Sequence, residues 1–176
     1  MKFPFSVSRQ TQGIIATIHA VATWFMVGLI WTIHVLNYPQ LGTVGKLTYQ
    51  TDSESIYDAL QSEHVDKIGK LLIVPWLTEG MTLIAILAIA FLSPRPKLRI
   101  ASVINAAAMS VVLLISGIWS APAHGKLLDG FDPDVYDTLM AANLVRTIAW
   151  TICGIAAILI LRTLREERDS DSANQN

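Results

Sequence analysis

Residues 13–33, GIIATIHAVATWFMVGLIWTI, contain no Asp, Glu, Lys or Arg over 21 positions. An α-helix rising ~1.5 Å per residue needs about 20 apolar residues to cross the hydrocarbon core of a bilayer. The run therefore reads as a membrane-spanning helix. A cleaved signal peptide is the competing reading, because Lys2 and Arg9 precede the run and Ala20-Val21-Ala22 has the small-residue pattern of a cleavage site. That reading leaves only residues 14–19 as the apolar region, too short for a signal, so the run is read as a retained helix.

The pattern recurs along the chain. Residues 71–92 are apolar apart from Glu79 near the middle, residues 100–119 carry no charge, and residues 148–161 continue an apolar run that begins near Ala142 with Arg146 in its first turns. With 52% apolar side chains, 15% charge and a mean hydropathy of +0.46, the chain is too apolar for an ordinary soluble domain of 176 residues. The expected fold is all-α: a polytopic up-down bundle of four transmembrane helices at about 13–36, 68–92, 99–119 and 142–163. One domain, 1–165, is followed by a flexible cytoplasmic tail, 166–176.

Between the first two spans, Tyr38-Pro39 is expected to end the first helix. Thr51 and Glu54 have capping-box spacing, and Ile56, Leu60, His64 and Ile68 predict a short amphipathic helix leading into the second span. Ser93-Pro94-Arg95-Pro96-Lys97 predicts a tight basic turn, and in Gly130-Phe131-Asp132-Pro133-Asp134 the last aspartate is expected to cap a short helix through Tyr136 and Leu139.

Eight cations (Lys2, Arg9, Arg95, Lys97, Arg99, Arg162, Arg165, Arg168) fall on one side of these spans and five (Lys46, Lys67, Lys70, Lys126, Arg146) on the other. The positive-inside rule then puts both termini in the cytoplasm, and the chain reads as a multi-pass membrane protein. The net charge of -1 is segregated, and no basic footprint for nucleic acid is present. Cys153 is the lone cysteine and lies in an apolar run, where it reads as a small packing residue.

That topology brings His34, His64 and His124 to one extracytoplasmic layer. Neutral imidazoles from separate helices ligate zinc, copper or iron, so a transition-metal or haem site is one reading. Interfacial histidines capping helix ends beside an aromatic belt of Trp31, Tyr38 and Trp119 is the other. His34 and Tyr38 are four apart and share a helix face if the helix continues, while Asn143, Arg146, Thr147 and Trp150 form a polar stripe at the same level. Arg146 keeps its charge and must find a carboxylate, a phosphate or water: a lipid headgroup, an anionic substrate, or Asp132 or Asp134 supplies the anion, or the side chain snorkels to the interface. Glu79 lies too deep for this layer, with His19 and Asn105 as candidate partners; it reads either as a catalytic or proton-carrying carboxyl or as a structural one.

The segments His34-Val35-Leu36-Asn37-Tyr38-Pro39, Pro122-Ala123-His124-Gly125-Lys126-Leu127 and Asn143-Leu144-Val145-Arg146-Thr147 together resemble a bacterial family of small uncharacterised four-helix membrane proteins, which implies the bacterial cytoplasmic (inner) membrane. In the final third, the small-residue-Pro-x-polar-x-x-Leu turn and Asn143-x-x-Arg146-Thr147 are similar to anthrone-oxygenase-like membrane proteins. That resemblance implies oxygenation of a polycyclic phenol without a known organic cofactor. His124 stands where the pattern has asparagine.

The functional expectation is a site of His34, His64 and His124 as ligating or polarising groups, with Tyr38 and Asn143 hydrogen-bonding substrate and Arg146 holding negative charge. It corresponds to a metal-assisted oxidoreductase or oxygenase acting on a lipophilic small molecule. The alternative is a non-enzymatic subunit or assembly factor of a larger membrane complex; the expected partners are the lipid bilayer, the lipophilic small molecule and either further copies of the chain or a larger membrane complex.

Overall fold

The computed structural model describes residues 7–51, 55–92 and 94–173, and every regular element among them is helical. Helix α1 runs Arg9–Thr51, α2 Ser55–Leu92, α3 Pro96–Leu127 and α4 Pro133–Ala173. All four are long and apolar enough to cross a membrane. They form a square up-down-up-down bundle in which α4 packs most extensively, on α1 and α3, while α2 leans on α1 and meets α3 along the weakest edge.

Pro39 does not end α1. The helix is π-helical over Ile33–Asn37, with the Tyr38 N–H reaching back to the Ile33 carbonyl, and then continues as α-helix over Tyr38–Thr51. Helix α3 repeats the device: a π turn over Ser116–Ser120, closed by the Ala121 N–H on the Ser116 carbonyl, lies immediately before Ala121-Pro122. In a regular α-helix a proline ring meets the carbonyl four residues earlier; the wider π turn relieves that clash and lets the helix run on.

The continuation of α1 covers the end of the bundle remote from the termini, here called the distal end. Leu41, Gly45 and Thr48, at helical spacing, are buried there. Gly42 and Gly45 are required by close approach, since a Cβ at either would run into the ring of Tyr136 or Phe131. The Tyr136 hydroxyl donates to the Tyr38 carbonyl at 3.0 Å. A distal core of Ile33, Tyr38, Leu41, Tyr57, Leu127, Phe131 and Leu139 results, stacked on a middle core around Trp150 and a proximal core around Ile86, Leu98 and Ile160.

The predicted amphipathic helix and second span are one element, α2, unbroken by Pro75. Glu54 of the expected capping box and Ser93 of the basic turn lie outside the described residues. At the start of α4 the cap is Asp132, not Asp134: its Oδ1 accepts from the N–H groups of Asp134 at 2.8 Å and Val135 at 3.1 Å. Pro133 takes the first helical position, where its missing N–H costs nothing, so the residue before it becomes the cap. Gly130, at φ 132°, supplies the left-handed residue that reverses the chain between α3 and α4. Asp132→Ala should lower stability by about 1 kcal/mol, with Asp132→Asn near wild type, as measured by thermal unfolding in detergent.

The tail expected from residue 166 continues as helix through Ala173. Glu167 explains part of this, since its carboxylate binds Arg9 at 2.6 Å and Arg95 at 3.0 Å, tying α4 to α1 and to the residue that precedes α3.

Candidate functional site

The distal layer holds a connected set of polar side chains from all four helices. Tyr38, on α1 just past the π turn, is 2% exposed and places its hydroxyl 2.9 Å from Nε2 of His124 on α3. Nδ1 of His124 lies 3.2 Å from the Gln61 amide on α2. His64, one turn beyond Gln61, stacks on His124 with centroids 5.6 Å apart and an interplanar angle of 28°, and its ring also faces Tyr38 at 5.4 Å. From α4 the Arg146 guanidinium lies beside the Tyr38 hydroxyl and interacts with it.

Tyr38, His64, His124 and Arg146 form one pole of a cavity of about 400 Å³ between the helices. Apart from Ser116 and Ser120, the rest of its wall is apolar, with Met26, Ile30 and Ile33 from α1, Leu72 and Trp76 from α2, and Leu128 following α3. That size suits a small lipophilic molecule, and a largely apolar wall with a few convergent polar groups is how such sites are built. The cavity borders the weak edge between α2 and α3, where Gly69 and Gly125 contribute no side chain.

Arg146 is 9% exposed, and no ion pair joins it to any carboxylate among the described residues. Its Nε has no hydrogen-bond partner, nor does Nε1 of Trp150 one turn further along α4. Asp132, a partner open to Arg146 on sequence grounds, is engaged at the helix cap instead. Ser120 Oγ on α3 is likewise buried without a partner and lines the cavity.

The three predicted metal ligands do not come together. His64 and His124 are neighbours, but His34 is turned to α4, with Nδ1 3.2 Å from the Asn143 amide and its ring edge-on to Trp31. The π turn shifts the helical register between His34 and Tyr38, so their depth is shared and their surroundings are not. Both nitrogens of His124 are already hydrogen-bonded, and no group of three or more His, Cys, Asp and Glu among the described residues is arranged to hold a metal ion. Asn143 thus belongs with His34, outside the Tyr38 group.

Glu79 occupies a separate layer. It is fully buried, with Oε1 accepting from Thr23 at 3.2 Å, and the same Thr23 hydroxyl also donates to the His19 carbonyl. His19 bonds Thr82 at 3.0 Å and Asn105 at 2.9 Å, so Glu79 meets its expected neighbours through Thr23 and the turn of α2. The apolar cluster of Met26, Val27, Ile30, Val112 and Trp150 lies between this layer and the distal site.

Sequence reasoning missed Gln61 and Ser120. Each has a readable signal, since Gln61 precedes His64 by three residues and Ser120 precedes His124 by four, spacings that share a helix face. No protein-family model, curated protein or solved structure matches the chain.

Proposed function

We propose that this chain is a multi-pass protein of the bacterial inner membrane, with both termini in the cytoplasm, that binds a lipophilic acid of the phenol or enol class in the distal, extracytoplasmic cavity. The observation that carries the reading is Arg146: a buried guanidinium with no carboxylate partner among the described residues, at the polar pole of a mainly apolar cavity. A buried charge demands a counter-charge, and the side chain that interacts with it is the neutral Tyr38 hydroxyl.

The Tyr38–His124 pair supplies the chemistry. A phenolic ligand gives its proton to the Tyr38 oxygen, Tyr38 passes its own to Nε2 of His124, and the ligand oxyanion pairs with Arg146. Charge is conserved, with a neutral ligand and neutral imidazole becoming an oxyanion and an imidazolium. The ionised phenol is the form that dioxygen oxidises most readily, so an oxygenase or oxidoreductase acting on such a molecule remains the reaction class proposed, in keeping with the anthrone-oxygenase resemblance. The three-histidine metal set carries no part of the proposal, because His34 is bound to Asn143 and His124 is fully hydrogen-bonded.

The test compares 1-naphthol with 1-methoxynaphthalene for binding to the purified chain in detergent. The two have similar apolar bodies, and only naphthol has an acidic proton. A hydrogen bond to a charged group contributes ~1.5–3 kcal/mol, so naphthol should bind about 10- to 100-fold more tightly. Equal affinities would reduce the cavity to an unselective apolar space.

A further inference from the structure

We propose that Gln61 is a positioning residue, with its amide oxygen accepting from Nδ1–H of His124 and its amide nitrogen turned toward Asp58. Gln61 is 1% exposed, and its amide lies against Nδ1 of His124 at 3.2 Å. With Nε2 facing the ring, two buried acceptors are left without a donor: Oε1 of Gln61 itself and Oδ1 of Asp58. Asp58 precedes Gln61 by three residues in α2, a spacing that puts both on one helix face.

A half-turn of the amide exchanges nitrogen and oxygen in nearly the same space, and the hydrogen-bond network decides between the two orientations. The turned amide gives the Gln61 oxygen a donor in Nδ1–H of His124 and puts its own N–H donors on the side chain whose helix face Asp58 shares. Buried acceptors without donors are costly, which favours that orientation.

The consequence falls on the other side of the ring. A proton fixed on Nδ1 leaves Nε2 with its lone pair, so the Tyr38 hydroxyl donates to His124 and the Tyr38 oxygen is open to Arg146 and to a ligand proton. The opposite orientation would fix the proton on Nε2 and make His124 a donor to Tyr38, unable to take a proton from it. Gln61 thereby sets the direction of proton movement without touching the ligand. This deepens the proposed proton transfer and rests on that reading for its consequence, while the tautomer itself is defined without any ligand.

The experiment is nitrogen NMR of the full chain, labelled with ¹⁵N-histidine and solubilised in detergent, with the His124 signals assigned by their loss in His124→Gln. The expected result is a single tautomer protonated at Nδ1, kept in Gln61→Glu, whose carboxylate can only accept, and lost to a tautomer mixture in Gln61→Met. A proton on Nε2 in the unmodified chain, or an unchanged tautomer in Gln61→Met, overturns the proposal. Unaltered signals from His19, His34 and His64 control for folding. The functional reading fails separately: an Nδ1-protonated His124 in a protein that binds naphthol no better than its methyl ether leaves the role of Gln61 intact and removes the proton transfer.

Discussion

Arg146→Gln is expected to weaken 1-naphthol binding by about 10- to 100-fold, the ~1.5–3 kcal/mol of a hydrogen bond to a charged group. Binding of 1-methoxynaphthalene, which brings no acidic proton, should change by no more than about threefold, since it relies on the apolar wall of Met26, Ile30, Leu72 and Trp76. The second half of the expectation concerns stability. A guanidinium buried without a carboxylate contributes desolvation cost and little pairing energy, so Arg146→Met should leave the ligand-free protein as stable as wild type or more so. A structural arginine behaves in the opposite way, because its loss uncovers a carboxylate. Stability gained together with binding lost is the signature of a group held for its ligand.

Trp150→Ala carries the largest expected stability effect, about 3–5 kcal/mol, as for other buried large-to-small aromatic changes. Trp150 is fully buried in the middle core among Met26, Val27, Ile30, Val112 and Cys153, where helices α1, α3 and α4 meet. Its removal leaves a space that three packed helices cannot close by side-chain movement alone. Trp150→Phe separates packing from the indole N–H: it keeps most of the ring and should cost well under half as much stability. Unfolding by a denaturing detergent measures both losses.

The four helices long and apolar enough to cross a membrane were legible because residues 13–33, 71–92, 100–119 and 148–161 hold a single charged side chain, Glu79, among them. The extent of α1 was not. Pro39 ordinarily marks a helix end, and nothing in the sequence states that a π turn will absorb it, although Leu41, Gly45 and Thr48 keep helical spacing beyond the proline. The repeat of that arrangement at Pro122 makes it a designed feature of both odd-numbered helices.

Depth along the bundle was likewise easier to read than direction around it. His34, Tyr38, His64, His124 and Arg146 were placed at one level, but which of them meet depends on helix rotation, and the π turn alters that rotation between His34 and Tyr38. The cap of α4 went to Asp132 because Pro133 fixes the first helical position, a constraint that weighs more than the spacing around Asp134. Gln61 was overlooked because a glutamine in a polar stretch carries no chemical signature until the imidazole it faces is known.

In the proposed function, Arg146 and the Tyr38–His124 pair bind a lipophilic phenol as its anion. The absorption spectrum of 1-naphthol bound to the purified protein at neutral pH tests this most directly, because naphtholate absorbs at longer wavelength than naphthol. The expected result is a naphtholate spectrum that disappears in Arg146→Gln and in Tyr38→Phe. A bound ligand with the spectrum of neutral naphthol in the wild-type protein would rule out binding as the anion.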